Sequence, residues 1–204
     1  QKEKFHKKNE LEKYLDFKFQ KKNIFITLHP NTIERKKNLY EINQLLNALK
    51  HETDSLLLFS YSNFDKNSKM IIEKIKKFTK SRKNTYLVKS LGQKLFYSIL
   101  NNFDILIGNS SSGIIEAPSF KIAIINIGER QKGRVMSKKI IQSKNDSISI
   151  QNAIKKAKSL NYSKLVSNTI NPYHKKNTVN NIIKIILNHP LDKIFKKVFY
   201  NKIS

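Results

Sequence analysis

The sequence predicts an α/β fold: a doubly wound, Rossmann-like parallel sheet with helices on both faces. Three observations predict it. Short apolar runs alternate with longer amphipathic segments along the 204 residues. The runs are continuously apolar rather than alternating, as in strands covered on both faces. Residues suited to ligand contact fall just after those runs, where such a sheet opens its crevice at the strand C-termini.

Residues 1–20 are charged and read as a helical lead-in, an interdomain connection. Residues 23–28 (NIFITL) read as a buried strand. Leu39, Ile42, Leu45, Leu46 and Leu49 then recur at helical spacing over 37–50. SLLLFS at 55–60 is the next strand, and Met70, Ile71, Ile75 and Phe78 mark a helix face over 67–80. NTYLV at 84–88 is a short strand, followed by a helix over 93–101 and the strand FDILI at 103–107. A Gly/Ser turn leads into a helix from about 112, and KIAII at 121–125 is a further strand. After a polar loop, 151–160 and 177–188 read as helices, and 190–201 as one more. The expected organisation is a Rossmann-like domain over 21–190 and a helical tail over 191–204, with no repeat and no linker rich in Gly, Pro or Ser.

Composition excludes several classes. With no cysteine, disulfides, thiolate catalysis and Cys-ligated zinc are ruled out. The histidines His6, His29, His51, His174 and His189 form no HxxxH or HExxH pair, so no metal is expected. No apolar run approaches the ~18 residues of a spanning helix. The net charge of +25 raises the question of nucleic-acid binding. The basic residues are nearly all lysine and spread along the whole chain, whereas base and phosphate recognition favours arginine. A solvated lysine surface is the expected reading, with the Lys, Asn and Ile excess reflecting an AT-rich genome. A positive field still attracts an anionic ligand. The first residue is Gln1 rather than Met, so the chain is expected to be part of a longer protein.

The strongest chemical feature is GNSSSGIIEAP at 108–118, directly after a strand. Ser110, Ser111, Ser112 and Gly113 put small residues at the turn into a helix, whose first-turn N–H groups and dipole favour a phosphate. The hydroxyls of Ser110 and Ser111 can donate to the same oxygens. Glu116, about one turn further on, can accept two ribose hydroxyls. A serine N-cap before an ordinary helix accounts for the same residues. Glycine placement favours the ligand reading: the chain has 5 glycines, and Gly108, Gly113, Gly128 and Gly133 fall between positions 108 and 133. Average usage would give roughly fourteen over the chain.

INIGERQKGR at 125–134 follows the next strand and sets Arg130, Lys132 and Arg134 beside two glycines, a loop able to fold over a pyrophosphate or simply an exposed basic loop. In ITLHPNTIE at 26–34, Pro30 holds the backbone of His29 extended and turns its imidazole toward the crevice, or packs it under a loop. In SNFDKNSK at 62–69, Asn63, Asp65 and Ser68 either contact a ligand or form an Asx turn and cap a helix. Asn171-Pro172-Tyr173 reads as a structural turn.

Taken together, the His-Pro element at 29–30, GNSSSGIIEAPSF at 108–120, INIGERQKGR at 125–134 and Asn-Pro-Tyr at 171–173 resemble the hydrolysing branch of the UDP-N-acetylglucosamine 2-epimerase family, over roughly residues 10–188. The resemblance implies the C-terminal domain of a GT-B type fold, with the active site in a cleft between two Rossmann-like domains. It places the phosphates at Ser110 and Ser111, the ribose at Glu116 and further nucleotide contacts at Arg130 and His29. Asn63 matches a position near the nucleotide, and Ser90 and Leu91 a segment whose backbone faces the uracil. The implied reaction converts UDP-N-acetylglucosamine or UDP-N,N'-diacetylbacillosamine into UDP and a free 2-epimeric sugar. UDP is eliminated to leave a glycal, which is then hydrated. The serine turn, Arg130 and His29 would be the catalytic stabilisers of the departing charge.

The same resemblance places the acid/base carboxylates in an N-terminal half that this chain lacks, so the chain alone is expected to be inactive. One departure is His174-Lys175-Lys176 after the Asn-Pro-Tyr element, where the family commonly has a glycine-rich stretch. The expected setting is the bacterial cytoplasm, in sialic-acid-like or legionaminic-acid-like precursor synthesis. The expected partners are a UDP-sugar, the N-terminal domain and further copies of the full-length enzyme, with no cofactor, membrane or nucleic acid. Two other readings are the donor-nucleotide domain of a GT-B glycosyltransferase and a basic nucleic-acid-binding module.

Overall fold

The protein is described by a computed structural model covering residues 5–30, 35–60, 68–89 and 91–189. The apolar runs become six parallel strands: β1 (Lys22–Thr27), β2 (Ser55–Ser60), β3 (Thr85–Val88), β4 (Ile105–Gly108), β5 (Ala123–Ile127) and β6 (Ile141–Ser143). Their spatial order is β3-β2-β1-β4-β5-β6. That order reverses direction between β1 and β4, and a parallel sheet opens its crevice at such a switch point. Among the described residues the helices are α1 (Lys8–Leu15), α2 (Arg35–Leu49), α3 (Ser68–Lys80), α4 (Gly92–Asn102), α5 (Ser112–Ile115), α6 (Ser147–Lys158), α7 (Leu160–Ser167) and α8 (Thr178–Asn188). The tail expected at 190–201 lies outside the described residues.

The strands are apolar at successive positions because both faces are covered. Ile24 and Ile26 of β1, with Leu57, Phe59, Ile105 and Ile107 of its neighbours, meet α2, α3 and α6 through Leu45, Ile71 and Ile154. Phe25, Leu56, Leu58 and Leu106 point the other way, against α1 and α4 through Leu11, Ile99 and Leu100. Alternate side chains of one strand thus build two separate cores, the arrangement that continuous apolar runs require.

Residues 1–20 were expected to be a helical lead-in; α1 is a helix there, anchored in the second of these cores. Leu11 is fully buried, Phe17 nearly so, and the Phe17 ring stands edge-on to Phe103. Glu10 and Lys7 close the start of α1, and the left-handed Asp16 ends it.

Three elements differ from the sequence reading. The helix expected from 112 is a single α turn followed by a 3-10 turn over Ala117–Phe120. Pro118 has no N–H to continue the α pattern and disfavours a helical residue before it. The helix expected to end near 160 stops at Ser159, whose hydroxyl accepts from the Tyr162 amide and starts α7. Strand β6 is three residues with an exposed Gln142 between buried neighbours, too short to stand out from a polar loop.

Contacts divide the chain into two units, Gln1–Tyr173 and His174–Ser204. The first holds the sheet and both cores. The second includes α8, none of whose residues is buried.

At the switch point the backbones of β1 and β4 come together, with Thr27 opposite Gly108. A Cβ on Gly108 would lie 1.8 Å from the Thr27 carbonyl oxygen, so no larger residue fits. Gly108→Ala is therefore expected to destabilise the fold by about 4 kcal/mol or more, read as loss of the folded baseline or a large drop in Tm. Leu11→Ala is expected to cost about 2–4 kcal/mol in denaturant unfolding. An unchanged midpoint would show that α1 is not part of the cooperative unit.

Candidate nucleotide-binding site

The site is organised by Asn109, which follows Gly108 and is buried. Its side-chain oxygen accepts the His29 amide at 2.8 Å and its Nδ2 donates to the His29 carbonyl at 2.9 Å. These two bonds carry the β1–β4 pairing past the end of the ladder and fix the backbone at His29. The Asn109 carbonyl accepts from Gln131 Nε2 at 2.8 Å and Arg130 Nη1 at 3.2 Å. Three segments far apart in sequence converge on this one residue. Its only sequence signal was an amide side chain just after a strand-ending glycine, and the sequence reading passed over it.

Beyond Asn109 the chain tightens into the serine turn. The amides of Gly113 and Ile114 donate to the carbonyls of Ser110 and Ser111 at 3.1 and 2.9 Å. Those first-turn donors are therefore used within the protein. The Ser112 amide reaches Ser110 Oγ at 3.4 Å, and the hydroxyls of Ser110 and Ser112 lie 2.8 Å apart. Among the described residues the amides of Ser110 and Ser111 meet no acceptor. Asn171 holds the far end of the turn: its Nδ2 donates to the Ile115 carbonyl at 2.8 Å and to Ser119 Oγ at 2.7 Å. The Asn-Pro-Tyr element thus secures the segment that carries Glu116.

A cleft of about 460 Å³ opens in front of this turn. Thr27 and His29 line it from the end of β1, Ser110, Ser112 and Glu116 from the turn, and Leu91, Gln93, Phe96 and Tyr97 from α4 and the residue before it. Ser60, Lys89 and Gly92 complete the lining. Burial pushes the Glu116 carboxyl above its ordinary range, and the Tyr97 hydroxyl across the cleft opposes that shift. The cleft therefore combines hydroxyls, a cation, a desolvated carboxyl and two aromatic rings.

The structure brings His29, Leu91, Ser110, Ser112 and Glu116 to this one cleft. Ser111 and Gly113 do not line it. A Cβ on Gly113 would lie 3.6 Å from Leu106, so this glycine sits at ordinary packing distance from the sheet. Arg130 opens on a neighbouring cavity of about 310 Å³, with Lys37, Glu41, Glu129 and Asn145. Asn63, Asp65 and Ser90 lie outside the described residues. Gln93, Tyr97 and Lys89 were missed in the sequence, because a helix-borne Gln and Tyr and a lone Lys carry no motif. Among the described residues no cluster of His, Asp or Glu could hold a metal ion, and no helix is long and apolar enough to cross a membrane.

The sequence profile of the UDP-N-acetylglucosamine 2-epimerase family matches residues 1–187. The GDP/UDP-N,N'-diacetylbacillosamine 2-epimerase (hydrolyzing) of Campylobacter jejuni is 39% identical over 142 residues, 68% of this chain and 36% of the relative. The polysialic acid biosynthesis protein P7 of Escherichia coli is 36% identical over 169 residues, 81% of this chain and 42% of the relative. The chain thus spans less than half the length of either. In fold it is similar to Staphylococcus aureus MnaA in complex with UDP, with a TM-score of 0.67 at 19% identity, covering 95% of this chain and 50% of that one. The fold is accordingly one Rossmann-like half of a GT-B type architecture. On the length of the profile match and the identity to these relatives, the chain belongs to the UDP-N-acetylglucosamine 2-epimerase family.

Proposed function

We propose that this chain is the nucleotide-sugar-binding half of a hydrolysing UDP-N-acetylglucosamine 2-epimerase. The substrate would be UDP-N-acetylglucosamine or UDP-N,N'-diacetylbacillosamine, and the products UDP and the free 2-epimeric sugar. The observation that carries the reading is the convergence of Ser110, Ser112, Glu116 and His29 on one cleft at the sheet's switch point. The C. jejuni relative, named as a hydrolyzing 2-epimerase of a diacetylbacillosamine nucleotide, supports the reaction class.

In this reading the diphosphate rests on the serine turn, held by the amides of Ser110 and Ser111 and by the hydroxyls of Ser110 and Ser112. Glu116 accepts the ribose hydroxyls, and the uracil lies toward Leu91. Asn63, outside the described residues, would add a further nucleotide contact. Loss of UDP from the sugar builds negative charge on the pyrophosphate, and donors already fixed in place lower the barrier by stabilising it. His29, held through its backbone by Asn109, faces that charge. Arg130, bonded to the Asn109 carbonyl, adds positive charge from the neighbouring cavity. Proton transfer at the sugar and the addition of water to the glycal fall to a second Rossmann-like domain of the same enzyme, which self-associates.

Calorimetry with UDP tests the binding role. The chain is expected to bind UDP, and Glu116→Ala to weaken it about ten- to a hundredfold. A folded protein without UDP affinity overturns the reading. The full-length protein is expected to release UDP and free sugar without any acceptor, and this chain alone to turn over nothing. Release that requires an acceptor would indicate a glycosyltransferase instead.

Burial of Glu116 has a further consequence for stability. A carboxyl raised in the folded state is protonated in both states at low pH and opposes folding once ionised. Wild type therefore loses stability relative to Glu116→Gln as pH rises from the unfolded carboxylate range through the raised folded value. Thermal unfolding should show the Gln variant more stable at pH 7, with the difference gone below about pH 4.

A further inference from the structure

We propose that Phe5 is a positioning residue for the nucleotide cleft: its ring clasps the two cleft walls together and couples their spacing to the segment that leads into α1. The inference rests on the nucleotide reading above and adds to it how occupancy of the cleft is felt outside it. Its basis is a triangle of rings beside the cleft. Between centroids, the Phe5 ring lies 6.2 Å from Tyr97, edge-on, and 5.8 Å from Phe120, while Tyr97 and Phe120 lie 5.4 Å apart. The three rings come from three elements: the segment before α1, helix α4 and the 3-10 turn after α5. Such ring pairs attract one another beyond the area they bury.

Two of these elements are walls of the cleft. Phe96 and Tyr97 line it from α4, and Glu116 lines it from the opposite element. Glu116 opens the 3-10 turn that Phe120 ends. The Ser119 amide donates to the Glu116 carbonyl at 3.0 Å and the Lys121 amide to the Pro118 carbonyl at 3.3 Å. So short and closed a turn moves as a unit, and a shift of the Phe120 ring carries Glu116 with it. The third element is fixed to α4 through its backbone. The His6 amide donates to Ser98 Oγ at 2.9 Å, and Asn102 Nδ2 donates to the His6 carbonyl at 3.0 Å. Ser98 is fully buried and its hydroxyl donates to the Lys94 carbonyl at 2.7 Å. Phe5 therefore reaches both walls from a firm base. Its ring is 39% exposed and lies outside the buried core, so its contacts act on the spacing of the walls more than on the fold. The coupling is reciprocal: a ring that favours the spacing suited to a nucleotide is itself held more firmly once the nucleotide is bound.

Phe5→Ala deletes the clasp and leaves both walls in place. Calorimetry with UDP is expected to show binding about three- to tenfold weaker than in wild type, and Phe5→Tyr, which restores a ring, to bind nearly as wild type does. The second readout needs no substitution. NMR measurement of amide exchange in wild type is expected to show UDP slowing exchange at the His6 amide, a response that a merely structural ring would not produce. If wild type binds UDP and folded Phe5→Ala binds it equally well, the role of Phe5 is overturned and the nucleotide reading stands. An unchanged His6 exchange rate on UDP binding overturns it in the same way, and decides the matter alone if Phe5→Ala does not fold. If wild type binds no UDP, both the role and the nucleotide reading fall.

Discussion

Two hydrogen bonds from the Asn109 side chain to the backbone of His29 set the geometry on which the rest of the site depends. The ladder between β1 and β4 ends at Thr27 and Gly108, and without a further tie the chains leaving the sheet would diverge. An amide side chain can replace one more rung because it offers a donor and an acceptor side by side, as a peptide unit does. The close approach at Gly108 brings the strands near enough for that rung to form. Arg130 and Gln131 then bond the Asn109 carbonyl, so the loop after β5 is placed by the same residue. The cleft is thus a product of main-chain register, and its side chains are attached to a frame that leaves them little freedom.

The architecture was legible in the sequence because its pattern follows from burial on two faces. Residues 55–60 illustrate this: Leu56 and Leu58 fill one core and Leu57 and Phe59 the other, so the run has no polar position to interrupt it. What the sequence obscured were short elements whose cause is tertiary. Gln142 separates the only two buried residues of β6, and three residues cannot establish a period. Ser159 ends one helix and caps the next, a double role invisible to apolar spacing, which runs smoothly across it. The lead-in was read as a connection because 1–20 is densely charged. Leu11 and the Phe17 ring are buried in the domain core, with Leu15 and Phe19 packed beside them.

The residues of the cleft were legible to the extent that they sat in a local cluster with unusual composition. Ser110, Ser112 and Glu116 stood out because small residues and a carboxylate followed a strand, and His29 because a proline fixed its neighbourhood. Tyr97 and Gln93 belong to an ordinary amphipathic helix, and only the fold shows that this helix walls the cleft. Arg130 shows the opposite limit. Its loop composition pointed to anion binding, yet loop composition alone does not determine on which side of Asn109 a long side chain lies, and the structure puts it in the neighbouring cavity.

Asn171 links the beginning and end of this design in time as well as in space. The serine turn is only one turn of α-helix, and its closing carbonyl at Ile115 is tied by a side chain that comes 56 residues later in the chain. A protein made from its N-terminus at about 5–20 residues per second reaches the sheet strands well before that side chain emerges. During synthesis the cleft therefore exists first as a frame with an unsecured wall. Its shape is completed only when residue 171 has left the ribosome, so a nascent chain stalled before that point would carry the strands of the nucleotide site without its finished contour.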